Sequence, residues 1–201
     1  MLVLGSTQPV ELVAGLRARE RGVDIVRRRG GGGAVLLEPF DHVWIDAWIP
    51  RDDPLWADDV SAAAEWAGAW WSGALGSLGL NGVAVHVGRA RPGPLGQLVC
   101  FAGSGPGEVF HQGRKVMGLS QWRSREGALF LTCAYAHWDP RPLVDLLQFD
   151  PPVRAGLVRD LASAVVGLGD VGPAPADLGL LRDALLSSFP GWGRGRSEPP
   201  G

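Results

Sequence analysis

Two short runs in this chain combine residue types able to act on an anionic, activated ligand. The first is Arg27-Arg28-Arg29-Gly30-Gly31-Gly32-Gly33-Ala34-Val35. Glycines leave backbone N–H groups unobstructed, so these can converge on an anion while arginine forks make bidentate contact with phosphate or carboxylate oxygens. The second is Gly113-Arg114-Lys115-Val116-Met117-Gly118, which holds the single lysine of a chain whose other eighteen basic residues are arginines. A bias toward arginine is expected to spare lysine where a compact point charge on a mobile stem is least replaceable. Lys115 is therefore the leading candidate for chemistry, set against the plainer alternative of a solvated surface charge.

Four consecutive glycines also suit a flexible linker. Here the run lies between two apolar segments and directly follows three arginines, which favours a loop that cradles a phosphorylated or acyl-phosphate ligand. No Gly-Lys-Ser/Thr closes it, and it opens no helix, so neither a P-loop nor a dinucleotide fingerprint is present.

The elements that must position these runs follow from periodicity. Val3-Leu4, Val23–Val26, Ala34–Leu37, His42–Ile49 and Ala128–Tyr135 read as strands, which makes the glycine run a connection between strands. Glu108–Phe110 and Lys115–Leu119 read as a hairpin, and Val83–Val87 with Gln97–Phe101 as a further strand pair across a Pro- and Gly-rich loop. Helices are expected over Pro9–Arg21, ended by Gly22, and over about Asp58–Leu78, with acids in its first turn. Helical periodicity returns around Leu143, Leu146 and Leu147, then over Ala155–Val166 and Asp177–Phe189. This order predicts an α+β fold with a mixed, mostly antiparallel sheet packed against helices. One domain over residues 1–189 is expected, followed by a disordered tail over 190–201 rich in Pro, Gly, Arg and Ser.

The 201 residues are 46% hydrophobic, enough for a substantial core, and the formal net charge of −2 provides no basic field for nucleic acid. No run of eighteen apolar residues and no basic leader before an apolar stretch is present, so a cytoplasmic protein without a membrane partner is expected. Cys100 and Cys133 lie far apart with no metal-ligand spacing, which predicts reduced thiols and no protein-held metal.

Taken together and in order, the two runs resemble those of the lipoate-protein ligase and lipoyl/octanoyl transferase family, the biotin/lipoate protein ligase-like catalytic domain, over roughly Val3–Leu168. Leu4-Gly5-Ser6-Thr7-Gln8 resembles that family's early strand and Gln turn, and Cys100-Phe101 its Cys-Phe element. Gly30 stands where a Ser or Thr usually precedes the glycines, Leu37 where a polar residue is common, and Thr132-Cys133 where a His-Gly pair is common. Because the family usually has a strand and a helix before that Gln turn, the resemblance implies a domain short at its N-terminus. The resemblance implies an enzyme that activates lipoate or octanoate with ATP, with Mg2+, to an acyl-adenylate and transfers the acyl group to a lysine of a lipoyl carrier domain.

It implies catalytic Lys115, with Arg28, Gly31, Gly32, Gly33, Ala34 and Gly118 binding the adenylate. Partners implied are the lipoyl domains of 2-oxoacid dehydrogenase acyltransferases or the glycine-cleavage H protein, and a separate accessory chain. Two alternatives stay open: an octanoyl transferase that takes its acyl group from acyl carrier protein through a Cys133 thioester, and a non-catalytic member that binds acyl groups or adenylates.

Other residues are given simpler roles. Cys133 reads first as a small buried strand residue, Glu108 as a solvated turn carboxylate, and His111 and His137 as exposed or structural. Trp66, Trp70 and Trp71 on the long helix, and Trp44 and Trp48 on a strand, read as core.

Overall fold

Strand-forming segments here are short near the N-terminus and long in the middle of the chain, and they sort into two sheets. The computed structural model describes residues 1–171 and 177–190. In chain order the elements are β1 (Leu2–Leu4), α1 (Gly15–Glu20), β2 (Ile25–Arg27), β3 (Val35–Leu36), β4 (His42–Pro50), α2 (Val60–Ser77) and β5 (Val83–Val85). They continue with α3 (Gly93–Gly96), β6 (Val109–His111), β7 (Arg114–Arg123), β8 (Gly127–Tyr135), α4 (Arg141–Asp145), α5 (Pro151–Ala164) and α6 (Leu178–Ser188). The small sheet has the order β2-β1-β3, with β1 parallel to β2 and antiparallel to β3. The large sheet, β4-β8-β7-β6-β5, is antiparallel throughout. The fold is α+β with mixed, mostly antiparallel sheets.

β4 alternates because one face is covered: Val43, Ala47 and Ile49 are buried, while Asp46 and Trp48 point outward. Trp48 is 43% exposed, so it is not core as expected; it lies against Trp122 on the outer face. Asp59 caps α2, accepting from the N–H groups of Ser61 and Ala62, both at 2.8 Å. That satisfies two of the donors a helix start leaves orphaned. Trp70 and Trp71 on α2 are fully packed, and Trp70 donates to the Leu185 carbonyl at 2.9 Å, joining α2 to α6. The same helix presents small residues elsewhere. A Cβ on Gly107 would fall 2.2 Å from the Ala64 carbonyl oxygen, and one on Gly68 2.6 Å from the Gly107 oxygen. The loop before β6 therefore rests directly on α2 backbone.

Two expected elements differ. The helix expected over Pro9–Arg21 is a 3-10 turn at Val10–Leu12 followed by the short α1. Between them Ala14 donates to the Leu146 carbonyl and Gln148 to that of Leu12, so the backbone pairs with a distant segment rather than with itself. Gln97–Phe101 is not a strand and does not pair with β5, whose partner is β6. It carries a 3-10 turn at Cys100–Ala102 and is held by the glycine loop: Ala34 donates to the Leu98 carbonyl at 2.8 Å and Cys100 to that of Ala34 at 3.1 Å. The tail expected from 190 lies, beyond Pro190, outside the described residues.

Candidate active site

Lys115 enters β7 directly after a two-residue hairpin turn. Gln112 and Gly113, at φ of 49° and 78°, supply the two positive φ angles that a type I′ turn requires. Lys115 pairs with Phe110, and Met117 with Val109, so Val116 is an extra residue that bulges the strand beside the lysine. On its other edge the backbone of Lys115 bridges Val165, and Val166 donates to its carbonyl at 3.0 Å. The bulge and this bridge set the direction of the ammonium stem.

The lysine is not a surface charge. Its side chain is 1% exposed, and Nζ forms an ion pair with Glu108 Oε2 at 2.7 Å and donates to the Cys100 carbonyl at 3.1 Å. An ammonium has three donors, so one remains for a ligand. Phe101 and Phe110 pack over it, each ring centroid 5.8 Å from Nζ. Glu108 corrects the expectation of a solvated turn carboxylate, since it is only 3% exposed. Besides the lysine, its Oε2 accepts from the Gly105 N–H at 2.6 Å and its Oε1 from that of Leu119 at 3.3 Å. Burial pushes the Glu108 carboxyl above the ordinary carboxylate range, and the Lys115 charge with these hydrogen bonds offsets this only in part.

The glycine loop is built by close approach and by arginine. A Cβ on Gly5 would fall 1.9 Å from the Gly32 oxygen, one on Gly33 2.4 Å from the Val99 nitrogen, and Gly32 has φ of 89°. Arg28 lies buried beneath, donating through Nη2 to the carbonyls of Gly31 at 2.7 Å and Gly33 at 2.8 Å and through Nη1 to that of Val3 at 3.3 Å. Its fork holds the loop from behind, while its Nε has no partner among the described residues. Arg27 is spent on the carbonyls of Gly5, Ser6 and Gln8, and Arg29 lies over the Trp122 ring at 4.8 Å. Arg27 and Arg28 thus organise backbone. No hydrogen bond among the described residues uses the N–H of Gly31, Gly32 or Gly33.

Loop and lysine meet at one cleft. Gly32, Cys100, Gly105, Glu108 and Lys115 line a cavity of about 130 Å3. A second cavity of about 260 Å3 shares Gly32, Gly105 and Leu119 with it and adds Gly31, Ser120 and the first turn of α2. A buried cation with a donor to spare and free amide N–H groups together suit a phosphate-bearing ligand. Ala34 and Gly118 act from behind the cleft: Ala34 ties the loop to residues 98–100, and a Cβ on Gly118 would meet the Phe101 ring at 3.2 Å.

The pocket of about 390 Å3 between Arg21, Arg141 and Arg154 shares no lining residue with this cleft, and ion pairs with Asp139 and Asp145 engage its guanidinium groups.

Cys133 pairs across β7–β8 with Gly118, is 4% exposed, and burial drives its thiol far above the ordinary range. Sequence reasoning passed over Cys100, which lines the cleft; burial raises its thiol too, with Arg28 and Lys115 pulling the other way. His137 is on the surface beside Asp41, and His111 lies in β6 outside the cleft. No group of three or more His, Cys, Asp or Glu able to hold a metal occurs among the described residues. No helix there is long and apolar enough to cross a membrane.

The profile of the lipoyl protein ligase A/B catalytic domain matches residues 1–190. No sequence among curated proteins matches. Among solved structures the chain is similar to a bi-partite lipoate protein ligase from Thermoplasma acidophilum, described with its E2 lipoyl domain, at TM-score 0.72 and 21% identity over 94% of this chain and 65% of that one. It is similar to lipoate-protein ligase A bound with ATP at TM-score 0.66 and 20% identity, over 94% and 66%. A P. falciparum protein in complex with lipoate matches at TM-score 0.62 and 13% identity, over 94% and 43%. The chain thus spans about two thirds of the length of the first two ligases, and these likenesses establish the fold.

Proposed function

The chain belongs to the lipoyl protein ligase A/B catalytic-domain family, and we propose that its cleft binds lipoate or octanoate as the acyl-adenylate and passes the acyl group to a lysine of a lipoyl carrier domain. The observation that carries this reading is the convergence of the glycine loop and Lys115 on one cleft. Support comes from ligases of the same fold bound with ATP or described with a lipoyl domain.

In activation, a carboxylate oxygen of the acid attacks the α-phosphorus of ATP and pyrophosphate leaves. In transfer, the acceptor's amine attacks the acyl carbonyl of the adenylate, loses a proton, and AMP leaves. Negative charge develops on phosphoryl oxygens in the first step and on the carbonyl oxygen in the second. Lys115, held by Glu108 and Cys100 with one donor to spare, offers that charge a preorganised partner, and the N–H groups of Gly31–Gly33 offer dipoles. Losing such a group typically slows a reaction on the order of a hundredfold or more.

Mg2+ is expected with ATP, but among the described residues that line the cleft the one carboxylate is Glu108, with both oxygens engaged. The protein groups therefore do not fit a resident ion, and any Mg2+ arrives on the ATP phosphates. The acceptor domain, the accessory chain and a cytoplasmic setting belong to the same proposal. No observation favours a thioester on Cys133, a buried thiol with its pKa raised.

The test is pyrophosphate release on adding ATP with lipoate or octanoate to the wild-type chain and to Lys115→Ala. Acid-dependent release that falls about a hundredfold in the variant is expected from the loss of preorganised charge. Equal release in both removes the role given to Lys115.

A further inference from the structure

The glycine loop is clamped differently along its length. A Cβ at Gly32 or Gly33 would meet Arg28 or the backbone of Val99, so neighbours restrain the chain at those positions. At Gly31 a Cβ would meet nothing within 4 Å. Packing does not fix that residue; hydrogen bonds to its carbonyl do. The oxygen of Gly31 accepts from Arg28 Nη2 at 2.7 Å and from the Ser120 hydroxyl at 3.0 Å, across 89 residues of sequence. A carbonyl has two lone pairs, and both are then used.

The peptide plane from Gly31 to Gly32 is thereby fixed from two sides. In a trans peptide the N–H points opposite to the C=O, so tethering the Gly31 oxygen aims the Gly32 N–H. Gly32 lines both cavities of the cleft, and its N–H has no partner among the described residues.

Position 30 shows where else this hydroxyl could have come from. A Cβ on Gly30 would fall 2.1 Å from Ser120 Oγ and 3.2 Å from Ser120 Cβ. The serine hydroxyl therefore occupies the space that a side chain at position 30 requires. Gly30 is not among the glycines with positive φ, and once the hydroxyl is gone a Cβ there meets only side-chain carbons, Leu131 Cδ1 at 3.1 Å and the Cβ of residue 120 at 3.2 Å, which must give by a few tenths of an ångström. Ser120 also sits on β7, the strand that carries Lys115. One side chain thus sets the loop's distance from the lysine as well as its aim.

We propose that Ser120 is a positioning residue of this cleft: its hydroxyl, delivered from β7 into the space vacated at Gly30, aims the Gly32 N–H at the phosphate of the bound ligand. The ligand class is that of the acyl-adenylate reading above, on which this part rests; the clamp on the loop is independent of it.

The experiment is an exchange of hydroxyls between the two positions, using Ser120→Ala, Gly30→Ser and the double variant Gly30→Ser/Ser120→Ala. Affinity is read with a hydrolysis-resistant octanoyl-adenylate mimic, and loop order with the NMR order parameters of the Gly31 and Gly32 N–H vectors in the ligand-free chain. Ser120→Ala should weaken mimic binding about five- to tenfold, the size of one net hydrogen bond, and lower the order parameters of both amides. Gly30→Ser alone should do worse, because of the clash. The double variant should bind within about threefold of wild type, less than the loss of that one hydrogen bond.

Unchanged order parameters in Ser120→Ala overturn the proposal, as does a double variant that folds but binds no better than Ser120→Ala. If wild type binds neither the mimic nor ATP, the functional reading fails by itself. The order parameters of the single variant Ser120→Ala then decide the clamp, and they do so even if the double variant fails to fold.

Discussion

Replacing Lys115 by Met keeps the length of the side chain and removes its charge, leaving Glu108 buried without its partner. At the observed 2.7 Å, attraction between unit charges amounts to about 6 kcal/mol at an effective dielectric of 20. Desolvation of several kcal/mol per ion offsets most of it, so the pair adds little net stability, while removal of either partner alone costs about 3–5 kcal/mol. Glu108→Gln keeps an oxygen able to accept from a backbone N–H but strands the ammonium. Against a total stability on the order of 5–15 kcal/mol, each single variant should shift the urea midpoint strongly. The double variant Lys115→Met/Glu108→Gln removes both charges and should cost at least about 2 kcal/mol less than the sum of the two, a coupling typical of contacting groups. Urea unfolding of the four proteins with linear extrapolation measures this. Single losses under about 1 kcal/mol that add to within about 0.5 kcal/mol would refute the buried pair.

Glu108 also gives a pH signature. Burial raises its carboxyl in the folded state, so its contribution to stability is fully present below the unfolded value near 4.5 and is lost as pH rises through the folded value. Without the opposing charge the folded value climbs further, so the deficit of Lys115→Met relative to wild type should narrow between about pH 7.5 and pH 5, a range above the ordinary carboxylate value; thermal unfolding across that range checks it, and a constant deficit contradicts it. Gly32→Ala puts a Cβ where φ is 89° and the Arg28 guanidinium lies 3.1 Å away; a loss of about 1–2 kcal/mol is expected from the left-handed backbone, with weaker adenylate binding, both readable by calorimetry. A small thiol reagent should label Cys100, on the cleft wall, faster than Cys133, and acyl-adenylate should protect it; peptide mass mapping reads the order.

Much of this architecture is visible in the residue pattern because the signals are local. Alternation in His42–Ile49, the acids at the start of the segment from about Asp58, and the turn between Glu108–Phe110 and Lys115–Leu119 each specify an element through their own neighbours, although Asp58 and Asp59 precede α2 rather than lie in its first turn. The glycine loop and Lys115 were legible for the same reason, as residue types with a limited set of uses. What escaped depends on distant parts of the chain. Gln97–Phe101 alternates like a strand, yet its backbone is taken by Ala34 of the glycine loop. Glu108 reads as a turn carboxylate until the close approach of Gly107 to α2 shuts it away from water. The clue was a charged residue seven positions before the sole lysine, across a hairpin that brings the two together. Arg28, expected to bind the adenylate, turns three of its five donors to backbone carbonyls. The Ser120 hydroxyl that bonds the Gly31 carbonyl shows itself only where the loop falls across β7.

The central claim is that the glycine loop and Lys115 together hold an acyl-adenylate ready for transfer. Supplying preformed lipoyl-adenylate to the wild-type chain with a lipoyl carrier domain, and following the acceptor by intact mass, tests it without dependence on the activation step. One lipoyl group added to the acceptor lysine faster than without the chain, and slowed about a hundredfold or more by Lys115→Ala, is the predicted result. Tight binding of the adenylate with no acceleration of transfer, or equal transfer by both proteins, would contradict it.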